Sequence, residues 1–174
     1  MILDLDETLL HASETVLAHA PDFMFEHYHV YLRPFVREFL AFCRANFQLA
    51  VWTSASADYA DLIVQELFGD DADLAFVWSR KRCTLTFDSE TLSHEWAKNL
   101  QKVKRRGFNL ERVIMLDDTP AKLTRHYGNL VQVAMFEGRT DDRELQLLMS
   151  YLADLKQRSN MRTVEKRGWR ARYL

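Results

Sequence analysis

The sequence predicts an α/β fold with a mainly parallel central sheet covered by helices. Three observations point to it: short apolar runs without alternation, segments of helical period between them, and carboxyl or hydroxyl residues where the runs end. Met1 to Leu5 is an apolar run interrupted by Asp4, which suits a buried strand that delivers carboxylates to an edge of the sheet. Asp6, Glu7 and Thr8 stop it. His11 to Tyr28 is irregular, and the alternation from His27 to Leu32 predicts a short edge strand or hairpin arm. Pro34 opens a helix whose apolar face is Phe35, Val36, Phe39, Leu40 and Cys43, ending at Asn46. Gln48 to Trp52 is a second buried strand. Ser56 caps the next helix, with Tyr59, Leu62, Ile63, Leu67 and Phe68 on its apolar face and Gly69 as its stop, and an Asp-rich loop follows. Ala75 to Trp78 and Cys83 to Phe87 are expected to be strands paired with each other. Trp96 to Arg106 reads as a helix closed by Gly107. Val113 to Leu116 is a buried strand ending in Asp117-Asp118, Pro120 opens a short helix, Leu130 to Val133 adds a strand, and Asp141 to Gln157 is the last amphipathic helix.

A chain of 174 residues, 48% of them hydrophobic, can bury one sizeable core. The expected organisation is one domain over residues 1–158 and a basic tail over 159–174. In the tail Arg162, Lys166, Arg167, Arg170 and Arg172 face a single Glu165, which suits a solvated or packing tail, or else a docking patch for an anionic partner. A net charge of −2 gives no field that would draw nucleic acid or anionic lipid, so neither is an expected partner. Cys43 and Cys83 form no CxxC step, which fits a reducing intracellular setting, cytoplasmic or nuclear. The sequence carries no transmembrane run and no signal-peptide pattern, and whether residues precede Met1 is open. The five glycines never form a GxG step, which excludes a P-loop or dinucleotide fingerprint. Core packing is the reading for Trp52, Trp78 and Trp96, but not for Trp169 in the tail.

The chemistry gathers at predicted strand ends, where open α/β sheets collect ligand-binding groups. Asp4 and Asp6 give two acids on a turning chain. One carboxylate can carry phosphate covalently while the other protonates a leaving oxygen and later deprotonates water. Asp117 and Asp118 bring the carboxylates to four, and each pair at 4 Å repels by about 1 kcal/mol in water or about 4 kcal/mol at an effective dielectric of 20. Such a cluster calls for a cation, and an all-oxygen site suits Mg²⁺ better than zinc. Thr53 offers a hydroxyl and Lys98 an ammonium to a phosphoryl group in transfer.

These segments resemble the haloacid dehalogenase superfamily, with DLDETL as its first motif and WTSA as its second. DLDETLLH, YLRPFVREFL, VWTSASADYAD, the Lys98-Asn99-Leu100 step and LDDTP together resemble the small C-terminal-domain phosphatases and their NIF-domain relatives, over roughly Met1 to Leu155. The resemblance implies a Rossmann-like fold with a small β insert and no large cap domain. It makes Asp4 the nucleophile, Asp6 the acid and base, and Thr53, Ser54 and Lys98 the phosphate ligands. It assigns Mg²⁺ to Asp4, Asp6 (through its main-chain carbonyl), Asp117 and Asp118, with the choice between the last two open. Tyr59 and Arg80 match substrate-side residues. An uncapped site admits a side chain of a macromolecule, so the implied reaction is Mg²⁺-dependent hydrolysis of phosphoserine or phosphothreonine in a phosphoprotein, through an aspartyl phosphate.

Two rivals are a small-molecule or nucleotide phosphomonoesterase of the same superfamily and a non-catalytic phosphate-binding scaffold. A receiver domain uses similar groups in a different chain order. His27 and His29 share a strand face but supply half a zinc site at most, and read as a solvated edge. Cys83 reads as a packing residue.

Overall fold

The computed structural model describes residues 1–70, 73–88 and 93–173. The Asp-rich loop after Gly69 therefore lies partly outside the described residues. The chain runs through β1 (Ile2–Leu3), β2 (Leu10–Ser13), β3 (Phe23–Phe25), β4 (Tyr28–Leu32), α1 (Val36–Asn46), β5 (Leu49–Trp52), α2 (Ala57–Phe68) and β6 (Leu74–Trp78). It continues through β7 (Thr84–Asp88), β8 (Ser93–Ala97), α3 (Gln101–Lys104), β9 (Met115–Asp117), a kinked stretch of 3₁₀ turns (Pro120–Asn129), β10 (Leu130–Gln132) and α4 (Glu144–Leu155).

The expected α/β architecture is present. Its centre is a parallel five-stranded sheet in the order β10-β9-β1-β5-β6. Successive side chains of a strand point to opposite faces, and the sheet is buried on both. Leu3, Val51 and Leu116 pack with Phe39, Ile63 and Leu148 from α1, α2 and α4, while Ile2, Ala50 and Met115 pack with Trp52, Trp78, Val103 and Leu123 on the other side. The chain leaves β1 toward β5 on one side and returns to β9 on the other. This topological switch opens a crevice beyond the carboxyl end of β1.

Of the two readings of His27 to Leu32, the hairpin arm is the one present: β4 pairs antiparallel with β3 across a two-residue turn and is the central strand of a three-stranded sheet in the order β2-β4-β3, inserted after β1. Three elements differ from the sequence reading. Ala75 to Trp78 does not pair with Cys83 to Phe87. Instead β6 closes the main sheet beside β5, and β7 pairs antiparallel with β8. Trp96 therefore lies in a strand. The helix read from Trp96 shrinks to the single turn of α3, because the Asn99 side chain accepts from Gln101 N–H at 3.0 Å and sets the helix start there. The last helix begins at Glu144, where Asp142 Oδ1 accepts from Glu144 N–H at 2.9 Å.

In the tail, Trp169 is buried, against its reading from sequence. It stacks on Tyr151 of α4 with ring centroids 5.1 Å apart, and its Nε1 donates to Gln132 O at 2.8 Å. Arg170 pairs with Glu144, and the buried Lys166 donates only to the carbonyls of Gly128, Met161 and Val164. Among the described residues no helix is long and apolar enough to cross a membrane.

Candidate active site

Adjacent parallel strands bring the predicted acids together. Asp4 follows β1 and its N–H donates to Leu116 O at 3.0 Å, so it stands beside Asp117 at the end of β9. On the other flank Thr53 follows β5, with its N–H on Trp78 O at 2.8 Å. Behind this row the chain turns sharply, with Glu7 in the left-handed region at φ 59°. The turn is braced by the fully buried Arg33, which donates to Thr8 O at 3.0 Å and holds Asp142 through two bonds of 2.9 and 2.8 Å.

Asp4, Asp117 and Asp118 are all buried, and one oxygen of each lies within 4.8 Å of the others. Lys98 stands at the end of β8 rather than on a helix. Its wholly buried ammonium is 2.8 Å from Asp4 Oδ1 and 2.7 Å from Asp117 Oδ2. A second ammonium, Lys122, is 3.2 Å from Asp4 Oδ2, 3.6 Å from Asp117 Oδ1 and 3.7 Å from Asp118 Oδ1. Sequence reasoning missed Lys122. It lies four residues after Asp118 at the start of a helical stretch, and that acid-to-base spacing was the available signal.

Burial pushes the Asp4 carboxyl up, but Lys98 and Lys122 outweigh it and hold it below the usual range. Burial and the Asp4 charge raise Asp117 to about 6, against the pull of the same two lysines. Asp6 faces another way. Tyr59 Oη donates to its Oδ1 at 2.5 Å and Thr53 Oγ1 to its Oδ2 at 3.3 Å. Burial, reinforced by the Asp4 charge, raises the Asp6 pKa in spite of these donors. The two acids of the first motif thus differ in charge preference: one is held toward its ionised form and the other toward its protonated form.

The donor set fits a hard divalent cation. All three clustered side chains offer oxygen, and Asp118 Oδ1 is buried without a hydrogen-bond partner, whereas its Oδ2 accepts from Thr119 Oγ1 at 2.9 Å. The Asp6 carboxylate is not part of this group.

The crevice opens into a cavity of about 510 Å³ lined by Asp4, Asp6, Thr53, Ser54, Tyr59, Arg80 and Lys122, among others. Phe25 of the inserted sheet meets Tyr59 edge to face, with centroids 5.1 Å apart. Tyr59, matched to a substrate-side tyrosine, therefore also reaches the acid Asp6. Arg80 is exposed, donates to Ser54 O at 2.5 Å and lies over the Trp96 ring. Thr53 spends its hydroxyl on Asp6 and on Ala55 N–H, 3.0 Å away.

Several proteins similar to this chain are named as phosphatases. A probable C-terminal domain small phosphatase of Dictyostelium discoideum is 28% identical over 172 residues, covering 94% of this chain and 53% of that protein. The human carboxy-terminal domain RNA polymerase II polypeptide A small phosphatase 1 is 31% identical over 162 residues, covering 89% and 58%. The chain thus spans little more than half the length of these relatives. The structure of Fcp1, an essential RNA polymerase II CTD phosphatase, superimposes with a TM-score of 0.63 at 17% identity, over 90% of this chain and 61% of that one, a likeness of fold. A family model described as NLI interacting factor-like phosphatase matches residues 1–162, and the chain belongs to that family.

Proposed function

We propose that this chain is a Mg²⁺-dependent phosphatase that acts through an aspartyl phosphate on Asp4, on phosphoserine or phosphothreonine in a protein. The observation that carries the reading is the division of labour within the Asp-x-Asp step. Asp4 is kept ionised by ammoniums on both of its oxygens, while Asp6, one residue further, is raised by burial and lines the same cavity.

In the first step an Asp4 carboxylate oxygen attacks phosphorus in line, the bond from phosphorus to the seryl or threonyl oxygen breaks, and Asp6 gives its proton to that leaving oxygen. In the second, Asp6 takes a proton from water as the water oxygen bonds to phosphorus, and the bond to Asp4 breaks to release inorganic phosphate. Tyr59 and Thr53 hold the Asp6 carboxylate between these two acts. Asp4, Asp117, Asp118 and the Asp6 carbonyl would hold Mg²⁺, which when bound neutralises charge on the phosphoryl oxygens. Thr53 and Ser54 remain the proposed phosphate contacts, with Tyr59 and Arg80 at the substrate side; Lys98, expected from the sequence as a third contact, is engaged by Asp4 and Asp117 instead. The reading carries an intracellular setting with it.

A protein substrate is supported by the cavity, which is open beside Asp4 and walled by a three-stranded insert rather than a cap, and by the relatives named for the polymerase tail. The test is turnover of a phosphopeptide library against a panel of small phosphate esters, with p-nitrophenyl phosphate as the common reference. Higher kcat/KM on phosphopeptides is expected. Preference for free nucleotides or sugar phosphates would make this a metabolite phosphatase, and absence of turnover on every substrate with Mg²⁺ would make it a scaffold.

A further inference from the structure

The ammonium that faces the substrate cavity is not the one carried by a motif. Lys98 is completely buried, its ammonium is taken up by Asp4 and Asp117, and it does not line the cavity. Lys122 does line it, and its side chain is 19% exposed. The two lysines bracket the carboxylate of Asp4, one on each oxygen. Their segments are tied by a main-chain bond, Lys98 N–H to Lys122 O at 2.7 Å, so the two positions are fixed relative to one another.

The contacts also differ in quality. Lys98 sits at short hydrogen-bond distances from its acids, whereas Lys122 is spread over three acids at 3.2 to 3.7 Å. Such a loosely shared ammonium gives up little geometry when it turns toward a better anion. Charge makes the same distinction. With Asp6 carrying the proton it must donate, three carboxylates face two ammoniums and a divalent ion, which leaves one positive charge to meet a phosphate. Without Lys122 that surplus is gone.

We propose that Lys122 is a phosphate-binding cation, whose ammonium leaves the Asp4 carboxylate and binds a non-bridging phosphoryl oxygen as substrate enters, while Lys98 stays bonded to Asp4 and Asp117. The proposal rests on the phosphatase reading and divides the work of the two cations. Lys122 recruits the phosphate and frees the Asp4 oxygen it covered, and Lys98 holds Asp4 and Asp117 in place.

The test compares wild type with Lys122→Met and Lys122→Arg by calorimetry, with inorganic phosphate as the probe in the presence of Mg²⁺ and with Mg²⁺ as the probe alone. Thermal unfolding reports that each variant is folded. One charge-assisted bond to a phosphate oxygen corresponds to roughly a ten- to hundredfold change in affinity. Lys122→Met is expected to weaken phosphate binding by that factor while binding Mg²⁺ at least as tightly as wild type, because a competing positive charge has been removed. Lys122→Arg is expected to recover most of the phosphate affinity. A folded Lys122→Met that binds phosphate like wild type overturns the proposal, and so does a variant that loses phosphate and Mg²⁺ affinity in parallel. The phosphatase reading fails separately, if wild type binds phosphate through Lys122 yet turns over no phosphate ester.

Discussion

Two buried lysines, Lys98 in the crevice and Lys166 in the tail, are held in opposite ways. Lys98 is wrapped by carboxylates and is buried as one partner of a charged network. Lys166 is wrapped by three carbonyls, and burial lowers its pKa from the usual 10.5, with only a partial offset from Glu165. The first arrangement fixes a cation between two acids of the crevice. The second clips the tail to the loop before β10, so that Trp169 stays on Tyr151. Burial of a cation therefore does not mark a reactive site; the sign of its partners does.

Lys98→Met should break this contrast most strongly. It leaves Asp4 and Asp117 without their closest cation, and kcat should fall by about 10²–10³-fold. In chelator the fold should lose about 3–5 kcal/mol, as measured by urea denaturation, with part of the loss restored by Mg²⁺. Trp169→Ala should cost a comparable amount, about 3–5 kcal/mol, yet leave kcat on p-nitrophenyl phosphate unchanged at temperatures where the variant is folded. A fall in kcat in that folded variant would mean that the tail belongs to the site.

Tyr59→Phe sharpens the crevice side of the comparison through pH. The Tyr59 hydroxyl stabilises ionised Asp6, so its removal raises the Asp6 pKa further. The proton is then kept to higher pH, and the alkaline limb of the kcat profile should move up by about one to two units. Movement in the other direction would remove Asp6 as the proton donor. The smallest effect belongs to Lys166→Met, which strands three carbonyls and should cost about 1–3 kcal/mol. Since the folded state holds this lysine below its unfolded pKa, the unfolded chain binds more protons between the two values, and wild-type stability should gain on the variant as pH rises toward 10.5.

The parallel sheet was legible because β1, β5 and β9 are continuous apolar runs, and because the acids sit where those runs end. Asp4, Asp6, Thr53, Asp117 and Asp118 were singled out for the same reason, whereas Lys98 was carried by its charge and by the Lys98-Asn99-Leu100 resemblance, from a stretch read as helix. What escaped was decided by partners distant in sequence. The alternation from Ser93 to Ala97 acquires meaning only once it pairs with Thr84–Asp88, and α3 is too short to leave a helical period. The central position of β4 depends on β2 and β3 folding against it from both sides. Lys122 and Lys166 look like ordinary surface lysines: the spacing from Asp118 hints at the first, but its approach to the distant Asp4 and the bond of Lys166 to the Gly128 carbonyl are not visible in a local window.

The most direct measurement is the chemical identity of the phosphorylated residue during turnover. Wild-type protein quenched in acid with substrate and Mg²⁺, then reduced with borohydride, should yield homoserine at position 4 in the digested peptide. Chelated protein and Asp4→Asn should yield none, and Asp4→Asn should lose hydrolysis. Continued hydrolysis by Asp4→Asn, or a trapped phosphoryl group on any other residue, would contradict the account.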